Sequence, residues 1–385
     1  MRVRRRKACV VQVVDRDEPD FAALLAGNMV WREATAVELI CPFSSQPIAV
    51  PLDALPLLGR LSASEWAEIP AEQVTTLVDA RILIAEGSEL DAADERLDRL
   101  GWHPFAAAYH AATRWSGVVG DETRREHSDE AHRARLTAAV EKHGSVPPHF
   151  SRRDDAIDRV ELPLPPFDDS FAQVLKARRT TRHYDMRATL KLDDFNRVLF
   201  GTYGTHGVKE LAPGVVAVKR TSASGGSLHP IDAYPLVIRV DGLSPGLYHY
   251  DAGAHALNLL RAMGEDEARR FATDASIGQA YFAESHACVF QVARFDRNSW
   301  KYRRHAKAYK AVLLDAGHLS QTFYLLAAER GLGAFYTAAI NDADIAATLE
   351  LDALASGVIG MHGVGIVDPA RDTLHFRPEP YIPSR

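Results

Sequence analysis

Apolar and polar positions along this chain alternate with two periods, and the switches between them mark out its elements. Residues 7–52 carry short β-branched runs, Ala8 to Val14, Ala36 to Cys41 and Pro47 to Pro51, that read as strands. Leu52 to Leu61 and Ala71 to Asp79 take up helical spacing, with Ser62 or Ser64 as a cap ahead of Glu65 and Trp66, before a strand-like Arg81 to Ala85. Strands, short helices and a closing strand predict a winged-helix-like unit over residues 1–90. A DNA-reading version would be basic on its last helix, whereas residues 60–86 hold Glu65, Glu68, Glu72, Asp79 and Glu86 against Arg60 and Arg81. Peptide capture along a strand edge is the expected role of this unit.

From Asp91 to Arg153 the pattern is helical and highly charged. Trp102, Phe105 and Tyr109 follow i, i+3, i+7 spacing, which predicts a packing stripe on a bridging helix. Pro147, Pro148, Pro163, Pro165 and Pro166 then interrupt any regular element, so residues 91–166 read as a helical bridge and proline-rich linker, and a second domain as 167–385.

That domain opens on a helix capped by Asp169 or Ser170, with Phe171, Val174 and Leu175 expected inward. A helix follows at Leu192 to Phe200. A strand at Ala233 to Val240 is expected at an edge, or irregular, because of Pro235. Leu247 to Tyr250 and Ala256 to Leu260 flank the hairpin signal Asp251-Ala252-Gly253, and Ala287 to Ala293 is another strand. Tyr302 to Arg330 is the longest helical pattern, with Tyr302, Tyr309, Leu313, Ala316, Phe323 and Leu326 near one face and Gly331 as its stop. Strands and helices in this order predict an α+β domain.

A chain of 385 residues with 46% hydrophobic content can bury one large core or two smaller ones, and two domains are expected. Its net charge of −6 argues against a general nucleic-acid partner. Cys9, Cys41 and Cys288 form no CxxC pair, which suits a reducing cytoplasm. The start MRVRRRKACVVQVVDRDE has too short an apolar run for a signal peptide and reads as a first strand, and no window of 18 uninterrupted apolar residues predicts a membrane span. The 16 histidines include no HExxH, so no metal is expected. GVIGMHGVG at 357–365 lacks a following βαβ unit and is not read as a dinucleotide finger.

Three stretches carry candidate chemistry. In Ser224-Gly225-Gly226-Ser227, two glycines permit positive φ and let a flat ligand approach the backbone, with hydroxyls at either end; taken alone, the motif favours the plainer reading of a tight turn before a hairpin. Arg178, Arg179, Thr180, Thr181 and Arg182 suit a dianionic phosphate, or a solvated basic helix end. KYRRHAKAYK at 301–310 could be a basic helix face. His318 and Gln321 could touch a ligand or partner subunit, with a hydrogen-bonded core histidine the plainer expectation.

Taken in order, RRTTRHY at 178–184, TSASGGSLHP at 221–230, SPGLYHYD at 244–251, WKYR at 300–303 and LLDAGHLSQ at 313–321 followed by GLGA at 331–334 resemble the flavin-dependent nitroreductase superfamily. Within it they resemble the SagB-type dehydrogenases of thiazole and oxazole peptide maturation, over about residues 168–368. The resemblance implies a nitroreductase-like α+β fold, a central antiparallel-type sheet flanked by helices, that dimerises and holds FMN at the subunit interface. By position, Arg178, Arg179, Thr180 and Arg182 would hold the phosphate and ribityl chain. Ser224, Gly225 and Gly226 would lie against the isoalloxazine, with Gly331 and Gly333 in the later backbone segment near it. Thr180 stands where the family commonly has Ser, and Ala223-Ser224 where it has Pro-Ser.

Lys301 and Tyr302 match the Lys-Tyr pair of the azoline-oxidising members, which implies a catalytic role. Oxidation of an azoline to an azole moves a hydride to flavin and a proton to a base. Both side chains stay protonated at neutral pH in water, with reference pKa values of about 10, so burial or the cations Arg303 and Arg304 would have to lower them. The implied activity is oxidation of a ribosomally made precursor peptide, with dioxygen as electron acceptor, a possible cyclase partner, and no nucleic acid or membrane. A nicotinamide-fed nitro- or quinone reductase and a non-catalytic peptide-binding scaffold are the alternatives.

Overall fold

A computed structural model describes residues 1–20, 23, 28–44, 46–120, 129–150 and 155–371. Parts of the expected bridge at 121–128 and 151–154, and the chain end at 372–385, lie outside the described residues. The first strand, β1 (Arg2–Arg5), continues into a hairpin of β2 (Val10–Pro19) and β3 (Trp31–Ile40), with β4 (Ile48–Ala49) beside β3. Then come α1 (Leu55–Arg60), β5 (Ala67–Glu68), α2 (Ala71–Asp79) and β6 (Leu83–Ala85). Two sheets result, ordered β5-β1-β6 and β2-β3-β4. Val3, Val37, Leu39, Val74 and Leu83 share one core, while Val11 and Val13 leave the outer strand β2 apolar and exposed.

Burial of a charge so close to the chain start is explained by its partners. The Arg4 guanidinium, 1% exposed, reaches Asp94 at 2.6 Å and Asp91 at 2.8 Å on α3 (Glu89–Leu100). Ser88 caps this helix by accepting from Asp91 N at 3.2 Å, and Gly101 ends it in a left-handed conformation, φ 78°.

The bridge is not one helix. After Gly101 the chain restarts at Pro104 as α4 (Pro104–Ala112), and α5 (Asp129–His143) follows separately. The break resets the helical phase, so the expected stripe fails: Trp102 is buried, but Phe105 is 60% and Tyr109 51% exposed. Ala106, Ala107 and His110 face inward instead. Trp102 and His110 pack on Phe295 with ring centroids 4.8 Å apart in each case, and Trp102 donates from Nε1 to the Leu354 carbonyl at 2.8 Å. Burial pushes the His110 imidazole down to about 3, so it sits there neutral.

In the C-terminal part, Asp169 caps α6 (Ser170–Ala177), accepting from Ala172 N at 2.9 Å, and Ala172 rather than the exposed Phe171 turns inward. α7 (Leu192–Tyr203) leads into a hairpin the periodicity reading passed over, β7 (Gly207–Ala212) and β8 (Val215–Lys219), whose only signal is the turn pair Pro213-Gly214. Then follow β9 (Ile231–Val237), β10 (Gly246–Asp251), β11 (Ala256–Ala262), α8 (Glu265–Ala275), β12 (Ala287–Arg294) and α9 (Phe295–Lys301). The chain closes with α10 (Lys307–Glu329), β13 (Gly333–Thr337), α11 (Asp342–Thr348) and β14 (Ser356–Gly365).

One antiparallel sheet, ordered β11-β10-β9-β12-β14-β13, carries the domain. β12 is a continuous apolar run because both its faces are covered: Ala287, Val289 and Ala293 face the core under α7 and α10, and Cys288, Phe290 and Val292 face that under α8 and α11. This is the expected α+β arrangement, a central antiparallel sheet with helices on both faces. β9 lies inside the sheet, contrary to the edge position its proline predicts. Pro235 is tolerated because the β9–β10 ladder pairs only Val237 and Leu236, leaving no N–H to be supplied at 235 on that side. The glycine run at 357–365 is the strand β14: a Cβ at Gly363 or Gly360 would strike the rings of Phe335 and Tyr336.

Asp94→Ala takes from the buried Arg4 guanidinium the shortest of its three carboxylate contacts, and is expected to cost roughly 3–5 kcal/mol of unfolding free energy. Urea denaturation followed by circular dichroism measures it; a loss under 1 kcal/mol would show that Arg4 finds water.

Candidate functional site

The glycine turn is built by a buried carboxylate. Asp315 on α10 accepts from Ser224 Oγ at 2.5 Å and from Gly225 N at 3.0 Å, and Ser224 Oγ in turn accepts from His229 N at 2.9 Å. The Ser224 hydroxyl is therefore spent on the fold rather than offered to a ligand. Gly225–Ser227 form a single 3-10 turn with Gly226 at φ 61°. Ser222 Oγ meets Thr322 Oγ1 at 2.7 Å and His318 Nδ1 meets the Ala223 carbonyl at 3.1 Å, so one side of α10 supports the whole turn. His318 is exposed at this support, not a core histidine, and Gln321 is exposed too.

The long helix begins at Lys307, five residues later than its periodicity predicts. Tyr302 to Ala306 form a break between α9 and α10, with Arg304 at φ 55°. The buried stripe of α10 is Val312, Asp315, Ala316, Leu319, Ser320, Phe323 and Ala327, and Leu313 points outward. KYRRHAKAYK is accordingly not a basic helix face. Lys301 ends α9 and Tyr302 caps it, and the break turns both toward the glycine turn.

Lys301 Nζ donates to the Gly226 carbonyl at 3.1 Å across 75 positions of sequence. A Cβ placed on Gly226 would lie 2.7 Å from Lys301 Nζ and collide with the Tyr302 hydroxyl. Lys301 Nζ also stands 5.6 Å from the Tyr302 ring centroid, a cation–π arrangement. Lys301 is exposed and Tyr302 half-buried. The neighbouring cations expected to tune the pair point away: Arg303 and Arg304 reach back to the end of α3.

Two clefts of about 590 Å³ flank this turn. One runs between the turn and β7–β8, with Lys219, Arg220 and His229 in its wall. The other lies under β8 and is lined by Val215, Val216, Gly226, Arg297, Trp300 and Lys301. Lys301 thus lines the second cleft, with Tyr302 beside it against the glycine turn rather than in the cleft wall.

The phosphate-type cluster is assembled elsewhere. Thr181 N donates to the Ala334 carbonyl at 2.7 Å, and a Cβ on Gly333 would lie 2.6 Å from Thr181 Cγ2, so the 178–182 and 331–334 segments pack directly on each other. Thr180 Oγ1 meets the Tyr324 hydroxyl at 3.1 Å and the Arg178 guanidinium lies over the Tyr324 ring at 5.5 Å. Among the described residues Arg178 and Arg182 have no carboxylate partner, and the buried Thr181 Oγ1 has no hydrogen-bond partner. Arg179 is exposed. Gly331, at φ 67°, ends α10 beside this cluster. Uncompensated guanidiniums at one place and a side-chain-free turn at another fit a flat anionic nucleotide.

Both places rest on α10, but on different sides. Asp315 under the turn and Tyr324 under the arginines are nine residues apart, about 13 Å along the helix and about half a turn around it. Within one chain the two segments therefore face opposite ways. Among the described residues, no helix is long and apolar enough to cross a membrane and no His, Cys, Asp and Glu cluster is arranged for a metal.

Residues 175–366 match the family model described as "Nitroreductase family". "Putative nitroreductase MJ1384" of Methanocaldococcus jannaschii is 26% identical over 195 residues, covering 50% of this chain and 91% of that protein. Among solved structures, a "putative nitroreductase" from Anabaena variabilis aligns with TM-score 0.42 and 21% identity over 51% of this chain; the match spans only 38% of that chain. The E. coli microcin synthetase McbBCD complex with truncated pro-MccB17 aligns with TM-score 0.44 and 18% identity, over 78% of this chain and 98% of that one.

Gly226→Ala is expected to push Lys301 and Tyr302 off the turn, since the added methyl needs their space and a residue with a Cβ resists φ near 60°. A crystal structure of the variant checks it. Retention of the Lys301 to Gly226 hydrogen bond would contradict the close packing described.

Proposed function

We propose, on the match of residues 175–366 to the nitroreductase family model, that the protein is an FMN-dependent dehydrogenase that oxidises azolines to azoles in a ribosomally made precursor peptide. The observation that carries the reading is the placement of Lys301 and Tyr302 on Gly226, where the side-chain-free turn meets an open cleft. A polar pair that stood on a basic helix face would have no such target.

The opposed sides of α10 support a site completed by a second copy. In a homodimer, Arg178, Arg179, Thr180 and Arg182 of one protomer would hold the phosphate and ribityl chain, with Gly331 and Gly333 beside them. Ser224, Gly225 and Gly226 of the other protomer would back the ring, the Ser224 hydroxyl serving to fix the turn. FMN supplies two-electron acceptor chemistry when bound, with dioxygen as the final acceptor.

The rest falls to the chain. Aromatisation of an azoline removes two hydrogens from the ring, one as hydride and one as a proton, so the protein must hold the ring and take the proton. Gly226 leaves room for a flat ring to lie on the backbone. Lys301 and Tyr302 flank that space, and the group that takes the ring proton does so after giving up its own to solvent through the adjoining cleft, so that the proton count balances. The winged-helix-like residues 1–90, bridged by 91–166 to the domain 167–385, hold the precursor, with the exposed edge of β2 as a surface an extended peptide can pair with. The azoline itself arises by cyclodehydration, which makes a cyclase the expected partner in the cytoplasm. Rapid flavin bleaching by NADH or NADPH in stopped flow would instead favour a nitro- or quinone reductase.

Lys301→Ala is expected to keep FMN but to lose turnover by about 100-fold or more, within the range of general acid–base catalysis. Mass spectrometry of an azoline-bearing peptide, read as loss of two hydrogens, measures it, and wild-type turnover would remove Lys301 from the mechanism. Arg182→Ala removes a charge-assisted contact and is expected to weaken FMN retention about 10- to 100-fold. Fluorescence titration of the apoprotein with FMN checks this, and unchanged affinity would place the phosphate elsewhere.

A further inference from the structure

The break that aims Lys301 and Tyr302 is tied across by its own domain, through Asn298 Nδ2 donating to the Ala308 carbonyl at 2.9 Å, and is gripped in addition from the N-terminal part of the chain. Arg304 N donates to the Gly101 carbonyl at 2.7 Å, Arg303 Nη2 donates to the Arg99 carbonyl at 2.6 Å, and Arg304 Nη2 pairs with Asp98 Oδ1 at 2.5 Å. All three acceptors belong to the last turn and cap of α3. That end of a helix carries carbonyls with no partner in the helix and the negative pole of its dipole, so it is a natural seat for two guanidiniums. The fit is close: a Cβ on Gly101 would lie 2.6 Å from Arg303 Cγ. Only a residue without a side chain, and at ease at φ 78°, leaves this channel open.

The same helix is anchored at its other end. Arg4 from β1 pairs with Asp91 and Asp94, and Lys7 Nζ pairs with Glu95 at 2.6 Å. Trp102, directly after Gly101, is buried in the aromatic cluster with Phe295 at the start of α9. The residues between α9 and α10 are thus gripped from a part of the chain about 200 positions away, as the sequence separation of 204 between Arg99 and Arg303 shows.

We infer that Arg303 and Arg304 are positioning residues, seated on the C-terminal turn of α3, which fix the 302–306 break and so set where Lys301 and Tyr302 stand over the glycine turn. The N-terminal part of the chain is then a structural component of the active site in addition to any role in holding a substrate. Asp98 and Gly101 serve the same end from the other side of the contact. The grip is a matter of geometry alone; that it matters for turnover rests on the function proposed above.

The test uses the full-length FMN-loaded protein and the variant Arg303→Ala/Arg304→Ala, with Asp98→Asn as a milder break should the double variant fold poorly. Loss of two charge-assisted contacts is expected to speed amide hydrogen exchange of residues 301–306 at least about tenfold, while β9 and β12 exchange as in wild type. Peptide oxidation is expected to show kcat lowered about 10- to 100-fold at unchanged KM and unchanged FMN affinity, the size expected from misplacing a catalytic group by about 1 Å. Adding Lys301→Ala to the double variant should slow it no further than Lys301→Ala alone, and Arg304→Lys should recover most of the rate. Unchanged exchange at 301–306, or rate losses that multiply with Lys301→Ala, would overturn the inference. Should the wild-type protein oxidise no peptide, the proposed function fails, while the exchange measurement still decides whether α3 holds the break.

Discussion

The Asp315 carboxylate, buried beneath the glycine turn, is the contact on which the site depends. A carboxylate out of water needs donors, and it finds them in the Ser224 hydroxyl and the Gly225 amide. Those bonds fix the turn to α10 and present Gly226 outward with its left-handed backbone. Lys301 and Tyr302 then have a defined surface to close on. Removing the acceptor would leave two donors unsatisfied and free the turn from the helix that supports it.

From this anchor the architecture follows with few further assumptions. α10 packs its apolar stripe on the β-sheet and offers its remaining sides to two different segments. Asp315, His318 and Thr322 carry the turn, and Tyr324 carries the arginine cluster. Because those sides oppose each other, the functional reading requires a second protomer, with each nucleotide shared across the interface. Charge is disposed accordingly: among the described residues Arg178 and Arg182 have no carboxylate partner, whereas Arg303 and Arg304 are consumed by α3. Basic residues that look alike in sequence thus differ in their surroundings, the second pair being seated on the end of α3 and the first lying beside Tyr324 and the 331–334 segment.

Much of the fold was legible because its strands are short apolar runs punctuated by turns. The 251–253 hairpin, the Ala287 strand and the Asp169 cap are local features, and local chemistry suffices to find them. The interior position of β9 was hidden because Pro235 forbids a ladder bond that the sheet does not ask for there. The bridge departs from one helix because Gly101 ends α3 and Pro104, inside the Trp102, Phe105, Tyr109 spacing, restarts the chain as α4 with a new phase. The packing of 178–182 on 331–334, and the convergence of Gly226 with Lys301 and Tyr302, join residues already singled out in sequence. Asp315 escaped notice because one acid in LLDAGHLSQ carries no spacing signal, and its role exists only once α10 meets the turn. The grip of α3 on Arg303 was equally out of reach, since it depends on two helix ends about 200 residues apart.

A crystal structure of the protein grown with FMN tests the central claim most directly. The account predicts a dimer in which the phosphate lies against Arg178 and Arg182 of one protomer and the ring lies on Gly225 and Gly226 of the other, within reach of Lys301. A nucleotide bound wholly inside one chain, or a ring stacked away from the glycine turn, would contradict it.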